Sequence, residues 1–238
     1  MRALLALLTA VSLALLTAGC AEDKKDASAA TSPATVVAST PAPAPPASSA
    51  DGCRTVTAPD TAGRSVPEPG KGDQLPKGAK VSVLLQTSCG PITIALDTTS
   101  QPKTASTFAY LVRKGFYDGL PFHRIAGTPG QEFVIQGGSP GGAPDGGPGW
   151  SVQEDPPSDA AYVRGVVAMA KTGAEPAGTS GSQFFIVTGA DVGLPPDYAI
   201  AGKVTKGDDT VTKIAAVEKD DQDVPISPVL IEKATLVE

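Results

Sequence analysis

The sequence predicts a mainly β domain, a closed antiparallel barrel with two helices over its ends, behind an N-terminal tether that is disordered. Three observations lead there. Short apolar, β-branched runs recur along the second half, divided by Gly- and Pro-rich connections; the 238 residues include 26 Gly and 23 Pro. Only two stretches carry helical spacing. All 11 aromatic residues (six Phe, four Tyr, one Trp) lie between Phe108 and Tyr198, so a core built on large side chains belongs to that half.

The elements follow in chain order. Arg2, an uncharged run with its apolar centre near Leu4 to Leu16, and small residues up to Gly19 have the pattern of a secretory signal over residues 1–19. Thr17-Ala18-Gly19-Cys20 resembles a bacterial lipobox, which implies lipidation of Cys20 and an anchor in the membrane. The usual Leu of that motif is here Thr17, with Leu16 one place earlier; a plain cleaved signal is the alternative. Residues 20–52 are rich in Ala, Ser, Thr and Pro, without a ring, and cannot bury enough apolar surface to offset their ordering entropy. They read as a linker, or alternatively as a proline-rich ligand for another domain. Residues 53–79 form a turn-rich extension with Pro67, Pro69, Gly70, Gly72 and Pro76. In an exported chain disulfides persist, and a Cys53–Cys89 bridge would pin this extension to the first strands; two reduced thiols are the alternative.

The folded domain is expected over residues 80–238. Val81–Leu85 and Ile92–Leu96 flank Ser88-Cys89-Gly90-Pro91 and read as a hairpin. Pro102 suits a first helical turn, Ala105, Phe108, Leu111 and Val112 share one face, and Gly115 is the stop. Strand-like runs follow at Phe133–Gln136, Gly165–Ala170, Phe184–Val187 and Tyr198–Val204, with a Gly-rich connection from Gly137 to Gly149. Asp208 or Asp209 is the expected cap of a second helix that buries Val211, Ile214 and Ala215. Val229–Val237 is the last strand.

Composition narrows the chemistry. A formal net charge of −6 argues against a nucleic-acid footprint. The single histidine, His123, leaves no His-based metal site and no two-histidine relay, and three cysteines without a CxxC pair leave no zinc ribbon. No metal or other cofactor is implied. Ser182 has only His123 as a basic partner, far away in sequence, so a serine-hydrolase reading rests on their convergence alone. What remains is one arginine and two glutamines among Phe, Val, Leu and Tyr, the makings of an apolar pocket with a few polar groups aimed into it.

Phe122-His123-Arg124-Ile125, Val134-Ile135-Gln136-Gly137-Gly138, Ala168-Met169-Ala170-Lys171 and Gly181-Ser182-Gln183-Phe184-Phe185, in this order and followed by Leu194 through Val204, resemble the cyclophilins, the peptidyl-prolyl cis–trans isomerases. The resemblance covers roughly residues 80–238. It implies an eight-stranded antiparallel barrel capped by two helices. It implies a catalytic group of Arg124, Gln136 and Phe133, and a peptide-binding set of Val134, Ala170, Lys171, Gln183, Phe185, Leu194 and Tyr198. It also implies proline-containing polypeptides as partners, here outside the cytoplasmic membrane, for a monomeric enzyme that assists folding. Departures stand at Val134 for a common Met, Lys171 for a common Asn, which adds positive charge beside the peptide path, Gly193 for a Trp linked to cyclosporin binding, and a longer connection over residues 126–132. The rivals are a non-catalytic proline-peptide-binding chaperone or scaffold lipoprotein, and a surface lipoprotein in which the barrel is only a carrier.

Single residues carry expectations too. Alternation turns His123 away from Arg124. Phe184 faces the core while its neighbour Phe185 faces the pocket. Phe116, Phe122 and Met169 are core, Trp150 is either a lid or a packing anchor, and the acidic run Glu218–Asp223 is a solvated loop.

Overall fold

The structure, a computed structural model, describes residues 52–237. The signal at 1–19, Cys20 and nearly all of the linker therefore lie outside the described residues. In chain order the elements are β1 (Ser82–Thr87), β2 (Gly90–Leu96), α1 (Pro102–Arg113), β3 (Leu120–Thr128), β4 (Gln131–Gly137), β5 (Val152–Gln153), β6 (Val166–Met169), β7 (Thr179–Ser180), β8 (Phe184–Val187), β9 (Ile200–Lys206), α2 (Asp208–Ala215) and β10 (Leu230–Val237). Eight strands close a barrel in the order β1-β10-β3-β4-β8-β6-β9-β2, and β5 pairs with β7 as a separate ribbon. Every pairing around the barrel is antiparallel.

The alternation of side chains sets the register. Val83 stands opposite Ile94 and Leu85 opposite Ile92, and all four are fully buried. A slip of one residue would send that set to solvent. Pro102 occupies the first turn of α1, where its missing N–H costs nothing. The orphan amides of Lys103 and Thr104 are satisfied from outside the helix by the Glu154 carboxylate, at 3.1 and 2.7 Å. At the other end Gly115 takes a left-handed conformation (φ 65), so that its own N–H reaches Val112 and that of Phe116 reaches the Leu111 carbonyl. Ala105, Phe108 and Leu111 of α1 and Ile214 of α2 are fully buried against the barrel core.

Two details differ from the sequence reading. The cap of α2 is Gly207 (φ 89), where a Cβ would stand 2.2 Å from the Pro91 carbonyl oxygen. β9 runs to Lys206, so the left-handed turn falls at Gly207, and Asp208 and Asp209 enter the first turn instead of capping it. There they still complement the helix dipole, and Asp208 pairs with Arg164. The other difference is β3, the barrel strand that no apolar run marks. His123, Arg124 and Gly127 interrupt its pattern.

The turn-rich extension is held closely by the barrel. Cys53 and Cys89 are joined by a disulfide at the β1–β2 turn. Tyr110 Oη donates to the Pro67 carbonyl at 2.8 Å, Trp150 Nε1 to that of Val66 at 2.8 Å, and Arg64 to those of Phe116 and Asp118. Trp150 is thus a packing anchor, 6.3 Å from the Tyr110 ring, and also borders a groove described below.

Candidate active site

The site lies on the outer face of the barrel, over β3, β4, β8 and β6. Strand neighbours point to opposite faces. Ile135, Val167, Phe184 and Ile186 belong to the main core, whereas Val134, Ala168, Phe185 and Val187 form a second apolar cluster outside it. Phe184 meets Phe108, Tyr117 and Phe122 inside, at 5.3, 5.6 and 6.0 Å between ring centroids. Phe185 meets Tyr198 edge-on at 5.4 Å outside. One residue of offset thus separates a core ring from a pocket wall.

A cavity of about 160 Å³ is lined by Arg124, Phe133, Val134, Gln136, Ala170, Lys171, Phe185, Leu194 and Tyr198. These are nine of the ten residues that the sequence singled out. The tenth, Gln183, stands behind Gln136 and accepts a bond from its Nε2 at 2.9 Å. Gln183 in turn donates to the carbonyls of Pro144 and Gly146, each at 2.9 Å. A cavity of about 610 Å³ adjoins this one, shares Gln136, Ala170 and Lys171 with it, and is otherwise walled by the Gly-rich run 144–151, Thr172, Glu175, Gly181, Ser182 and Gln183. Sequence reasoning did not separate this second cavity; the glycines between 141 and 149 were its only signal.

Two β-bulges aim the β3 side chains. Phe122 pairs with Gly137 and Arg124 with Gln136, which leaves His123 as an extra residue. Phe122 and Ile125 can then both be buried although three positions apart, and Arg124 escapes the core. Strict alternation from Phe122 would have turned the guanidinium inward. A second bulge leaves Phe133 unpaired between Val134 and Glu132. The longer connection at 126–132 is absorbed as further β3–β4 ladder, with Gly127 opposite Glu132 and Thr128 opposite Gln131. Arg124 stays directly across from Gln136.

The polar groups are firmly partnered. The Lys171 side chain is only 4% exposed; its Nζ lies 3.0 Å from Asp197 Oδ2 and 5.4 Å from the Tyr198 ring centroid. It also donates to the Glu175 carbonyl at 3.1 Å. The positive charge expected beside the peptide path is therefore paired and turned toward the wall. Tyr198 is gripped by Tyr162, whose Oη donates to its carbonyl at 2.7 Å and accepts its N–H at 2.9 Å. Burial raises the Tyr162 phenol above the usual tyrosine range. Burial, reinforced by the neighbouring Arg124 charge, lowers His123 to about 4, so its imidazole is neutral near pH 7. Gln183 is within interaction distance of the ring, which lines neither cavity. Ser182 donates to the Gly138 carbonyl at 2.8 Å. Its hydroxyl is bonded there and not to His123, so no Ser–His relay forms.

Among the described residues no cluster of three or more His, Cys, Asp or Glu side chains could hold a metal ion. The acidic loop is exposed at Glu218, Asp220, Asp221 and Gln222, as expected of a solvated loop, but it docks through its other two residues. Asp223 reaches Arg124, its Oδ2 lying 3.4 Å from Nη2, and Lys219 donates to the Ile125 and Gly127 carbonyls at 2.5 and 2.6 Å. Charge composition alone could not find these contacts, because they depend on where the loop docks.

Comparison with known proteins bears on this geometry. Residues 82–236 match the family described as cyclophilin type peptidyl-prolyl cis-trans isomerase. An Arabidopsis thaliana peptidyl-prolyl cis-trans isomerase is 32% identical over 167 residues, 68% of this chain and 98% of the relative. Human peptidyl-prolyl cis-trans isomerase-like 1 is 37% identical over 157 residues, 64% of this chain and 90% of the relative. A crystal structure of a Cryptosporidium parvum cyclophilin type isomerase, in the presence of the dipeptide Ala-Pro, is similar with a TM-score of 0.60 at 28% identity. That match covers 66% of this chain and 99% of that one.

Proposed function

The chain belongs to the cyclophilin-type peptidyl-prolyl cis-trans isomerase family, and we propose that the cavity around Arg124 is where it turns Xaa-Pro bonds, in proteins outside the cytoplasmic membrane. The observation that carries this is one cavity holding a guanidinium beside an apolar floor of Phe133, Phe185 and Leu194.

The reaction needs little else. Rotation about the amide crosses a barrier of about 18–20 kcal/mol set by resonance, and no bond breaks. The proline ring occupies the apolar floor. Gln136, oriented by Gln183, holds a flanking carbonyl. Arg124 directs its donors at the prolyl nitrogen. That nitrogen gains lone-pair character only when the amide twists, so a fixed positive charge there favours the twisted state over both planar ones. Ala170 and Lys171 offer backbone to the peptide, and Tyr198 closes the side. Tyr162, Lys171 and Gln183 each hold a wall of the groove in place through bonds within the chain.

The Cys53–Cys89 disulfide supports an extracytoplasmic setting, where such bonds persist. Together with the lipobox-like sequence ending at Cys20 it favours a membrane-anchored isomerase that assists the folding of exported or surface proteins. Two experiments test this. Titration of the 15N-labelled chain with an Ala-Pro peptide shifts resonances of Arg124, Phe133, Gln136 and Phe185; shifts confined elsewhere refute the site. Fatty-acid labelling in a bacterial host marks the wild type and not Cys20→Ser; equal labelling, or none, refutes the anchor.

A further inference from the structure

Asp223 stands apart within the acidic run from Glu218. Among the described residues it is the non-glycine residue with a positive φ, 66°. An L side chain adopts that conformation rarely, and it persists only where the surroundings hold it. They do so here through the backbone. The Asp223 N–H donates to the Asp220 carbonyl at 3.1 Å, and the Asp223 carbonyl accepts the N–H of Ile125, next to Arg124, at 2.8 Å. Its carboxylate is shared. Oδ1 takes a bond from Lys219 Nζ at 2.7 Å, and Oδ2 lies 3.4 Å from Arg124 Nη2. Lys219 also fastens the two carbonyls that flank the second bulge, those of Ile125 and Gly127. The two backbone bonds therefore place Asp223 independently of both the lysine and the arginine that its carboxylate meets.

The Arg124 side chain is 41% exposed at the rim of an open cavity. A guanidinium left free there would sample many rotamers. We propose that Asp223 is a positioning residue that holds Arg124 by one edge of its fork, leaving the remaining N–H groups for the peptide. The inference rests on the reading of Arg124 as the catalytic cation. Fixing a reacting group in its productive geometry raises turnover without new contacts to substrate. The predicted signature is a lower kcat at unchanged KM.

The test uses the full chain with Asp223→Asn, an amide that tolerates the positive φ, and Asp223→Gly, which suits it better. Isomerisation of an Xaa-Pro peptide is measured by NMR exchange, and the Arg124 guanidinium is followed through its 15Nη signals. In both variants kcat falls about threefold to fivefold, the range of a partly exposed ion pair, and KM holds. The resolved Nη signals of the wild type average together. Lys219→Met releases the strand clamp and the Oδ1 bond but leaves the two backbone bonds that place the Asp223 carboxylate beside Arg124, so it changes kcat by less than about twofold. Unchanged kcat in a folded Asp223 variant overturns the proposal, and so does an equal fall in Lys219→Met, which would assign the effect to the clamp. Arg124→Ala, run alongside, separates the premises: if it leaves kcat unchanged, the underlying reading of the site fails instead.

Discussion

Lowering the pH should destabilise this protein through His123, in a way that a single substitution cancels. Burial lowers the imidazole from 6.5 in the unfolded chain to about 4 in the folded one. As pH drops through 6.5 the unfolded chain takes up a proton that the folded chain refuses, so stability is lost from there down to about pH 4 and then levels off. At 1.36 kcal/mol per unit, the interval corresponds to a loss of about 3 kcal/mol. Carboxylates such as Glu132, whose pKa is lowered by hydrogen bonds to backbone N–H groups, titrate in wild type and variant alike. They cancel in a comparison with His123→Gln, which cannot ionise. Urea unfolding of both proteins at several values between pH 7.5 and pH 4 isolates the histidine. The stability of the wild type relative to the variant declines by about 3 kcal/mol across that window. A constant difference would refute the reasoning and place His123 in a wetter site.

Three further outcomes follow from packing. Cys53→Ser with Cys89→Ser opens a loop whose ends are 36 residues apart, and loop-closure entropy predicts a loss of about 4 kcal/mol, read by denaturant unfolding with and without reductant. Lys171→Met removes the charge held over Tyr198 and leaves Asp197 unpaired. The loosened wall raises KM for an Xaa-Pro peptide about threefold with kcat unchanged, as loss of a cation–ring contact predicts, and steady-state NMR exchange kinetics check it. Glu154→Ala leaves two amides of α1 without their acceptor, and a fall of about 1 kcal/mol in urea stability is expected, as for a lost helix cap.

The barrel was legible wherever pattern and burial agree. Val83, Leu85, Ile92 and Ile94 alternate in sequence and are fully buried in fact. Phe184 and Phe185 fall on opposite faces as strand geometry requires. The walls of the 160 Å³ cavity were legible through ordered short motifs, each weak alone. What sequence hid was long-range. β3 carries His123 and Arg124 at a bulge, so it has no clean alternation to read, and the same bulge decides which way Arg124 points. Glu154 serves a helix 50 residues away. Lys171 looked like a free charge until the fold brought Asp197 and Tyr198 to it. Asp223 looked like one acid among several, and nothing local to residues 218–223 predicts that the loop folds back on β3.

The central claim is that the Arg124 guanidinium favours the twisted prolyl amide. Its most direct test is NMR exchange on an Xaa-Pro peptide with wild type and Arg124→Ala, both verified as folded. The account predicts acceleration by the wild type and a fall of at least about tenfold in the variant, equivalent to about 1.4 kcal/mol of lost transition-state stabilisation, while the peptide still binds. Equal acceleration by the two proteins would contradict it, and binding without acceleration by the wild type would reduce the groove to a peptide-holding site.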